Sequence, residues 1–228
     1  MAPILTIGLD RGDWQIRDLH LGPDGSTGRV VVGDQDLGFI TVTIPGVHMV
    51  LNALMAAAAA RFVHPATDLG TLATCERVKR RFTVHGRVGG VRIVEDYGHH
   101  PAEIRATIAA AALGGGTVRV VFQPHRHSRT ADCFAEFTTA FDQAGHLSLL
   151  PIYGAGETPV PGITSEALAA AVVAHRPQVA VLATADRPRA LAHALAGAAP
   201  GDTLLILGAG DVGDLALDAA RAESHAHA

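Results

Sequence analysis

The 228 residues are 48% hydrophobic and carry 18 Lys and Arg against 22 Asp and Glu, a formal net charge of -4. That apolar share is enough for an ordinary core in one or two domains and argues against disorder. The charges are dispersed, with no basic stripe of the kind a nucleic-acid backbone selects, so no nucleic acid is expected as a partner. Two cysteines, Cys75 and Cys133, stand far apart and outside any metal-ligand spacing. Neither a disulfide framework nor a metal site is therefore expected, which fits a reducing cytoplasm. The longest small apolar run, from Ala53 to Ala60, is shorter than a membrane span and is flanked by Asn52 and Arg61. No charged-then-apolar segment opens the chain, so the expectation is a soluble cytoplasmic protein that is not exported.

In chain order, β-rich runs come first: Ile4 to Gly8, Trp14 to Leu21, Arg29 to Val32 and Phe39 to Ile44, broken at Gly22-Pro23-Asp24-Gly25 and Gly33-Asp34. They predict an antiparallel meander. Pro45-Gly46 ends it, and Val47 to Phe62, apolar on all sides and rich in alanine, predicts a helix packed on several faces. A second helical stretch is expected from Asp68 to Glu76. After Arg81 the rhythm changes. Apolar or β-branched runs at Val91 to Glu95, Val118 to Phe122, Leu147 to Ile152, Val179 to Ala183 and Leu204 to Leu207 alternate with alanine-rich helical segments. That alternation predicts an α/β domain with a mostly parallel, doubly wound, Rossmann-like sheet. Helix starts are expected at Thr130, Ser165 and Asp186, and the domain boundary between Lys79 and Phe82. The tail from Ser224 to Ala228 is expected to fray.

Two polar clusters stand where strands run out, the place where open α/β sheets put their ligands. The first is Glu95-Asp96-Tyr97-Gly98-His99-His100-Pro101. Pro101 and Glu103 suit a helix start, but a helix start does not call for Asp, Tyr and two His in so short a stretch. The second is Gln123-Pro124-His125-Arg126-His127-Ser128-Arg129-Thr130, where two arginines three apart, entering a helix, form a clamp for a carboxylate or phosphate. His125 and His127 alternate without a nearby Cys or carboxylate, so a metal is rejected there. Gly208-Ala209-Gly210-Asp211-Val212-Gly213 matches G-x-G-x-x-G, but too little chain follows for the rest of a dinucleotide-binding unit, and it is read as a tight strand-to-helix turn. The 228 residues contain no G-x-x-x-x-G-K-[ST] phosphate loop, no G-x-S-x-G elbow and no H-E-x-x-H pair.

The succession Ile44-Pro45-Gly46-Val47-His48, Asn52-Ala53-Leu54, Val78-Lys79-Arg80-Arg81-Phe82, Asp96-Tyr97-Gly98-His99-His100-Pro101, Phe122-Gln123-Pro124-His125-Arg126-His127-Ser128-Arg129-Thr130 and Pro151-Ile152-Tyr153-Gly154-Ala155-Gly156-Glu157 resembles, in order and spacing, the Mur ligase family. Within that family it is similar to the members that join L-alanine to UDP-N-acetylmuramate. The resemblance implies that residues 1–78 are the end of a central ATP-binding domain and residues 79–228 the C-terminal domain. It implies an ADP-forming ligase of peptidoglycan synthesis, with ATP and Mg2+ as cofactors, in which an acyl phosphate on the sugar nucleotide is attacked by the amine of alanine. By the same resemblance His48 and Asn52 would lie at the adenine, Arg81 at the phosphates and Asp96 at the ribose. Tyr97, His99, Arg126 and Arg129 would form the alanine pocket, with His99 catalytic, near the amine.

Two features depart from the family pattern. Met49 follows His48 where the family usually has Asn, and the family's UDP-binding domain, phosphate loop and magnesium ligands are absent from these residues. The fragment alone, a natural or truncated ligase portion, is therefore expected to be inactive because its chemistry needs the missing N-terminal domains, a separate chain being one way to supply them. The alternatives are a non-catalytic amino-acid or nucleotide binding module acting with a partner chain, and a degenerate product whose sheet is folded but unused.

Overall fold

A computed structural model describes residues 4–75 and 78–221 and divides the chain into two compact units, 1–78 and 79–228. In the first unit, strands β1 (Ile7–Gly8), β2 (Trp14–Gly22), β3 (Gly25–Val32) and β4 (Gln35–Val42) form one sheet in sequence order. β2, β3 and β4 are the expected antiparallel meander, but β1 runs parallel to β2, and only Ile7 and Gly8 of the first β-rich run pair with it. Helix α1 (Val47–Val63) turns Val50, Leu54, Ala57 and Ala58 inward onto Trp14, Ile16, Val30 and Ile40. Its outer side leaves Met55, Phe62 and Val63 exposed. The expected second helix is a 3-10 turn, Leu69–Thr74, capped by Asp68, whose side chain accepts from the Gly70 amide. Glu76, at the end of that expected helix, and the tail from Ser224 lie outside the described residues.

The second unit is a six-stranded sheet in the order β5 (Thr83–Val88), β6 (Val91–Asp96), β10 (Thr203–Leu207), β7 (Val118–Phe122), β8 (His146–Leu149), β9 (Ala180–Ala183). All neighbours are parallel except β5, which pairs antiparallel with β6 across Gly89-Gly90. The helices are α2 (Pro101–Ala112), α3 (His127–Asp132), α4 (Phe134–Ala140), α5 (Ser165–His175), α6 (Arg187–Leu195) and α7 (Asp214–Arg221). β6, β7 and β10 are buried along their whole length, which requires helices on both faces of the sheet. On one face Ile93, Val121, Leu204 and Ile206 meet Ala190 and Ala194 of α6 and Leu215 and Ala216 of α7. On the other face Phe122 packs on Phe137 and Phe141, with ring centroids 5.7 and 5.4 Å away.

Several local expectations are corrected. Thr130 does not begin a helix: α3 already starts at His127, and the Thr130 hydroxyl, inside it, donates to the Arg126 carbonyl. One expected helix is two, α3 and α4, broken at Cys133. The cap of α5 is Thr164, whose hydroxyl accepts from the Ala167 amide, while the Ser165 hydroxyl donates to the Leu150 carbonyl. Asp186 caps α6 as expected, accepting from the Arg189 amide.

At the amino ends of the central strands lies a closed ion pair. Arg119 on β7 donates from Nε to Asp202 Oδ2 at 2.8 Å, from Nη1 to the carbonyls of Ala194 and Ala196, and from Nη2 to that of Gly197. Asp202 also accepts from the amides of Thr117 and Ala199. Burial pushes the Asp202 carboxyl up, but the Arg119 and backbone hydrogen bonds outweigh it and hold it below the usual range.

Candidate functional site at the carboxyl edge of the sheet

The two polar clusters do not follow adjacent strands. β10 lies between β6 and β7, so the glycine-rich turn after Leu207 sits between them. A single helix joins β6 to β7, yet the last strand inserts between them, a long-range pairing that no local pattern encodes. The turn fits closely. A Cβ on Gly210 would stand 2.4 Å from Gln123 Oε1 and 2.9 Å from Tyr153 Cγ. Gln123 in turn donates from Nε2 to Asp211 Oδ1 at 3.0 Å. That bond, with the Arg187 ion pair, holds the Asp211 carboxyl below its ordinary range.

Arg80 fastens the turn to β6. It donates from Nε to Glu95 Oε1 at 2.7 Å and from Nη2 to the carbonyls of Gly208 and Gly210 at 2.8 and 3.0 Å. Its guanidinium lies 4.9 Å from the Tyr97 ring centroid, and its own carbonyl accepts from the Tyr97 amide. Glu95 also contacts His85 Nε2 at 2.9 Å. A cavity of about 410 Å³ opens here, lined among others by Lys79, Arg80, His85, Glu95, Gly210 and Asp211. Arg80 and Phe82 both adopt left-handed backbone conformations, at φ 58° and 45°. Such conformations cost roughly 1 to 3 kcal/mol each and persist only where the surroundings fix them.

Beyond β6, Asp96 is buried, with Oδ1 accepting from the Gly98 amide and Oδ2 from the Phe82 amide. Those bonds shape the loop that carries Tyr97 and His99. His99 Nδ1 lies 3.0 Å from the Tyr97 carbonyl, and the two rings meet edge to face. The next residues form a reciprocal helix cap: His100 Nδ1 accepts from the Ala102 amide, and Glu103 accepts from the amides of His99 and His100. Burial raises the Glu103 carboxyl, but these amides, with the charges of His99 and Arg81, bring it below its ordinary value.

Beyond β7 the chain returns toward the same place. The His99 and His125 ring centroids are 5.6 Å apart, and Tyr153, from the segment after β8, stacks on His125 at 5.5 Å and 8°. Tyr153 is held by its own backbone, donating to the Pro124 carbonyl and accepting from the Arg126 amide. Arg129 Nη1 reaches His125 Nδ1 at 3.2 Å and the His125 carbonyl at 3.3 Å. Arg126 has φ 71° and an exposed side chain 3.5 Å from Glu157. Glu157 itself is tied to Ser128 by both the amide and the hydroxyl. Burial, then the neighbouring charges of His99, Arg129 and Arg126, lower the His125 pKa. The imidazole is thereby favoured in its neutral form.

Of the residues singled out from sequence, Tyr97, His99 and Arg129 fall into one contiguous group, with Arg126 on its rim. Arg81 is half exposed, 3.9 Å from Glu103 and with its guanidinium 5.7 Å from the Tyr97 ring. His48 and Asn52 stand one turn apart on α1 of the first unit, and Asn52 Nδ2 lies 3.9 Å from Met49 Sδ. Sequence reasoning left out Arg80, His125 and Tyr153. The twin Arg80-Arg81 gave no sign of which would face the turn, and His125 was weighed only as a metal ligand. Among the described residues no group of three or more His, Cys, Asp or Glu could hold a metal ion, and no helix is long and apolar enough to cross a membrane.

Residues 80–210 match the family model for the Mur ligase, glutamate ligase domain. The UDP-N-acetylmuramate–L-alanine ligase of Sorangium cellulosum is 50% identical over 186 residues, 78% of this chain and 39% of that protein. Its counterpart from Geobacter sulfurreducens is 44% identical over 214 residues, 91% of this chain and 46% of that protein. The chain thus spans less than half the length of these relatives. The crystal structure of the UDP-N-acetylmuramate–alanine ligase of Thermotoga maritima superposes with a TM-score of 0.71 at 20% identity, covering 98% of this chain and 47% of that one, and so shares the fold. With more than half of its residues matched by the family model, the chain belongs to the Mur ligase family.

Proposed function

We propose that this chain is the C-terminal part of an ATP-dependent, ADP-forming ligase that adds L-alanine to UDP-N-acetylmuramate, with residues 1–78 ending the ATP-binding domain and 79–228 forming the C-terminal domain. The observation that carries the reading is the group Tyr97, His99, His125 and Arg129, with Arg126 beside it, gathered from two strand ends. A guanidinium group suits the carboxylate of an amino acid. An imidazole beside it suits the amine. In this reading the amine nitrogen bonds to the acyl carbon, the carbon–oxygen bond to phosphate breaks, phosphate leaves, and His99 takes the proton shed by nitrogen. His48, Asn52, Arg81 and Asp96 belong to the nucleotide side of the same proposal. Among the described residues no group of three or more His, Cys, Asp or Glu could hold a metal ion, so in this reading Mg2+ and the outer phosphates of ATP would be held by a phosphate-loop-bearing portion, in the cytoplasm where ATP is available.

Phosphate release that requires ATP, UDP-N-acetylmuramate and L-alanine tests this. The pure 228-residue chain is expected to release none, and the chain supplied with a phosphate-loop-bearing Mur ligase half is expected to release it. There, Arg126→Ala and Arg129→Ala should raise the KM for L-alanine about ten- to a hundredfold, as loss of a charge-assisted hydrogen bond implies, and leave the KM for ATP little changed. Release from the pure chain, or equal effects on both KM values, would overturn the reading.

A further inference from the structure

The G-x-G-x-x-G turn after β10 has the spacing of a phosphate cradle but presents the wrong atoms for one. A phosphate is held by backbone amides. Here the carbonyls of Gly208 and Gly210 accept from Arg80 Nη2 at 2.8 and 3.0 Å, and the Gly208 amide donates to the Asp96 carbonyl. Each glycine of the motif has a packing reason instead. A Cβ on Gly208 would stand 2.8 Å from Val212, one on Gly210 would collide with Gln123, and one on Gly213 would collide with Glu95 Oε1, the atom that accepts from Arg80 Nε. The second Glu95 oxygen meets His85, which sits in the register shift between Val84 and Gly86 and is turned toward it. The turn is built around a guanidinium.

Arg80 is also one of two anchored residues that flank Arg81. Both Arg80 and Phe82 have left-handed backbones, at φ 58° and 45°. The Arg80 carbonyl accepts from the Tyr97 amide, and the Phe82 amide donates to Asp96 Oδ2 at 2.8 Å. The Phe82 side chain is buried, with the Arg92 guanidinium 5.4 Å from its ring centroid. Arg81, between them, keeps a side chain that is 40% exposed, 3.9 Å from Glu103, which is too long for a hydrogen bond. Its backbone is thus fixed on both sides while its own donors stay available.

We propose that Arg80 is a positioning residue and the glycine-rich turn its socket: seated there, Arg80 fixes the kinked backbone that presents Arg81 to an anionic ligand, a phosphate group of the nucleotide. This deepens the nucleotide reading of Arg81 above and rests on it. Neutral carbonyls together with one carboxylate select a guanidinium, whose Nε and Nη2 donate in two fixed directions at once, as the single ammonium of a lysine does not.

Two measurements test this. In the 228-residue chain, Arg80→Met should speed amide hydrogen exchange at Phe82 and Tyr97 at least about tenfold and leave the amides of β8 unchanged. In the chain supplied with a phosphate-loop-bearing half, Arg80→Met should raise the KM for ATP about tenfold, and Arg80→Lys, the milder change, should raise it as well. The double variant Arg80→Met/Arg81→Met should be no worse than Arg81→Met, because a residue that acts through another adds nothing once the other is gone. Unchanged exchange, losses that add, or a KM for ATP that Arg81→Met raises and Arg80→Lys does not, each overturns the inference and leaves the nucleotide reading standing. A KM for ATP untouched by Arg81→Met overturns both.

Discussion

The two ends of the six-stranded sheet both gather charged side chains, and they treat them in opposite ways. At the amino end, the side chains of Arg119 and Asp202 are 5% and 9% exposed and their polar atoms are engaged with each other or with backbone. At the carboxyl end, Arg126 is exposed with one long contact, His99 and His125 are each hydrogen-bonded through Nδ1 alone among the described residues, and left-handed conformations recur at Arg80, Phe82 and Arg126. A buried ion pair whose every atom is satisfied holds a fold together. Strain with unfilled hydrogen-bonding capacity marks a place prepared for something else. Counting charged residues in the sequence does not distinguish the two ends; counting their unmet hydrogen bonds does.

Breaking the closed end should have the largest effect. Arg119→Met strands Asp202 in the interior, and removal of one partner of a buried pair costs about 3 to 5 kcal/mol. Chemical denaturation of the chain should register that loss. A loss under about 1 kcal/mol would mean that the pair behaves as a surface contact. At the open end, Gly210→Ala drives a methyl group into Gln123 and the Tyr153 ring, and overpacking of this kind costs about 1 to 3 kcal/mol. Tyr153 should be displaced with it, and L-alanine binding should fall along with stability. Binding left intact would detach the turn from the site.

The smallest effect is on pH dependence. His125 at the open end, and His146 and His193 in the second unit, have their pKa values lowered, in each case first by burial. The unfolded chain, whose histidines titrate near about 6.5, therefore binds more protons than the folded one just below that pH. The contribution of these groups is complete above about pH 6.5 and is lost as pH falls toward the folded values. Replacing His146 and His193 together by Gln should flatten the stability profile below about pH 6.5, measured by denaturation at several pH values. An unchanged slope would leave His125 and other groups to account for it.

Much of this was legible in advance. The alternation of apolar strands and alanine-rich helices after Arg81 identified the doubly wound sheet, since a strand covered on both faces must be apolar on both. β5 was missed although Gly89-Gly90 between Val88 and Val91 is a hairpin signal. The strand is short, half exposed and contains Gly86, so no apolar run announced it. The two strand-end polar clusters contained Tyr97, His99, Arg126 and Arg129, and the resemblance to the Mur ligases singled these four out. The sequence could not reveal that β10 separates their strands, or that Arg80 rather than Arg81 grips the turn, because both follow from pairings between segments far apart in the chain.

The position of β10 also orders events during synthesis. Neighbouring strands are roughly 4.8 Å apart, so until residues 203–207 take their place, β6 and β7 lack the partner that joins them and their loops have no common frame. A nascent chain extending only to α6 holds both polar clusters but no assembled site. The group of Tyr97, His99, His125 and Arg129 therefore assembles late, when residues 203–207 close the middle of the sheet. Long-range closure of this kind slows folding. In return, contact between the His99 and His125 rings becomes a sign that the sheet of the second unit is complete.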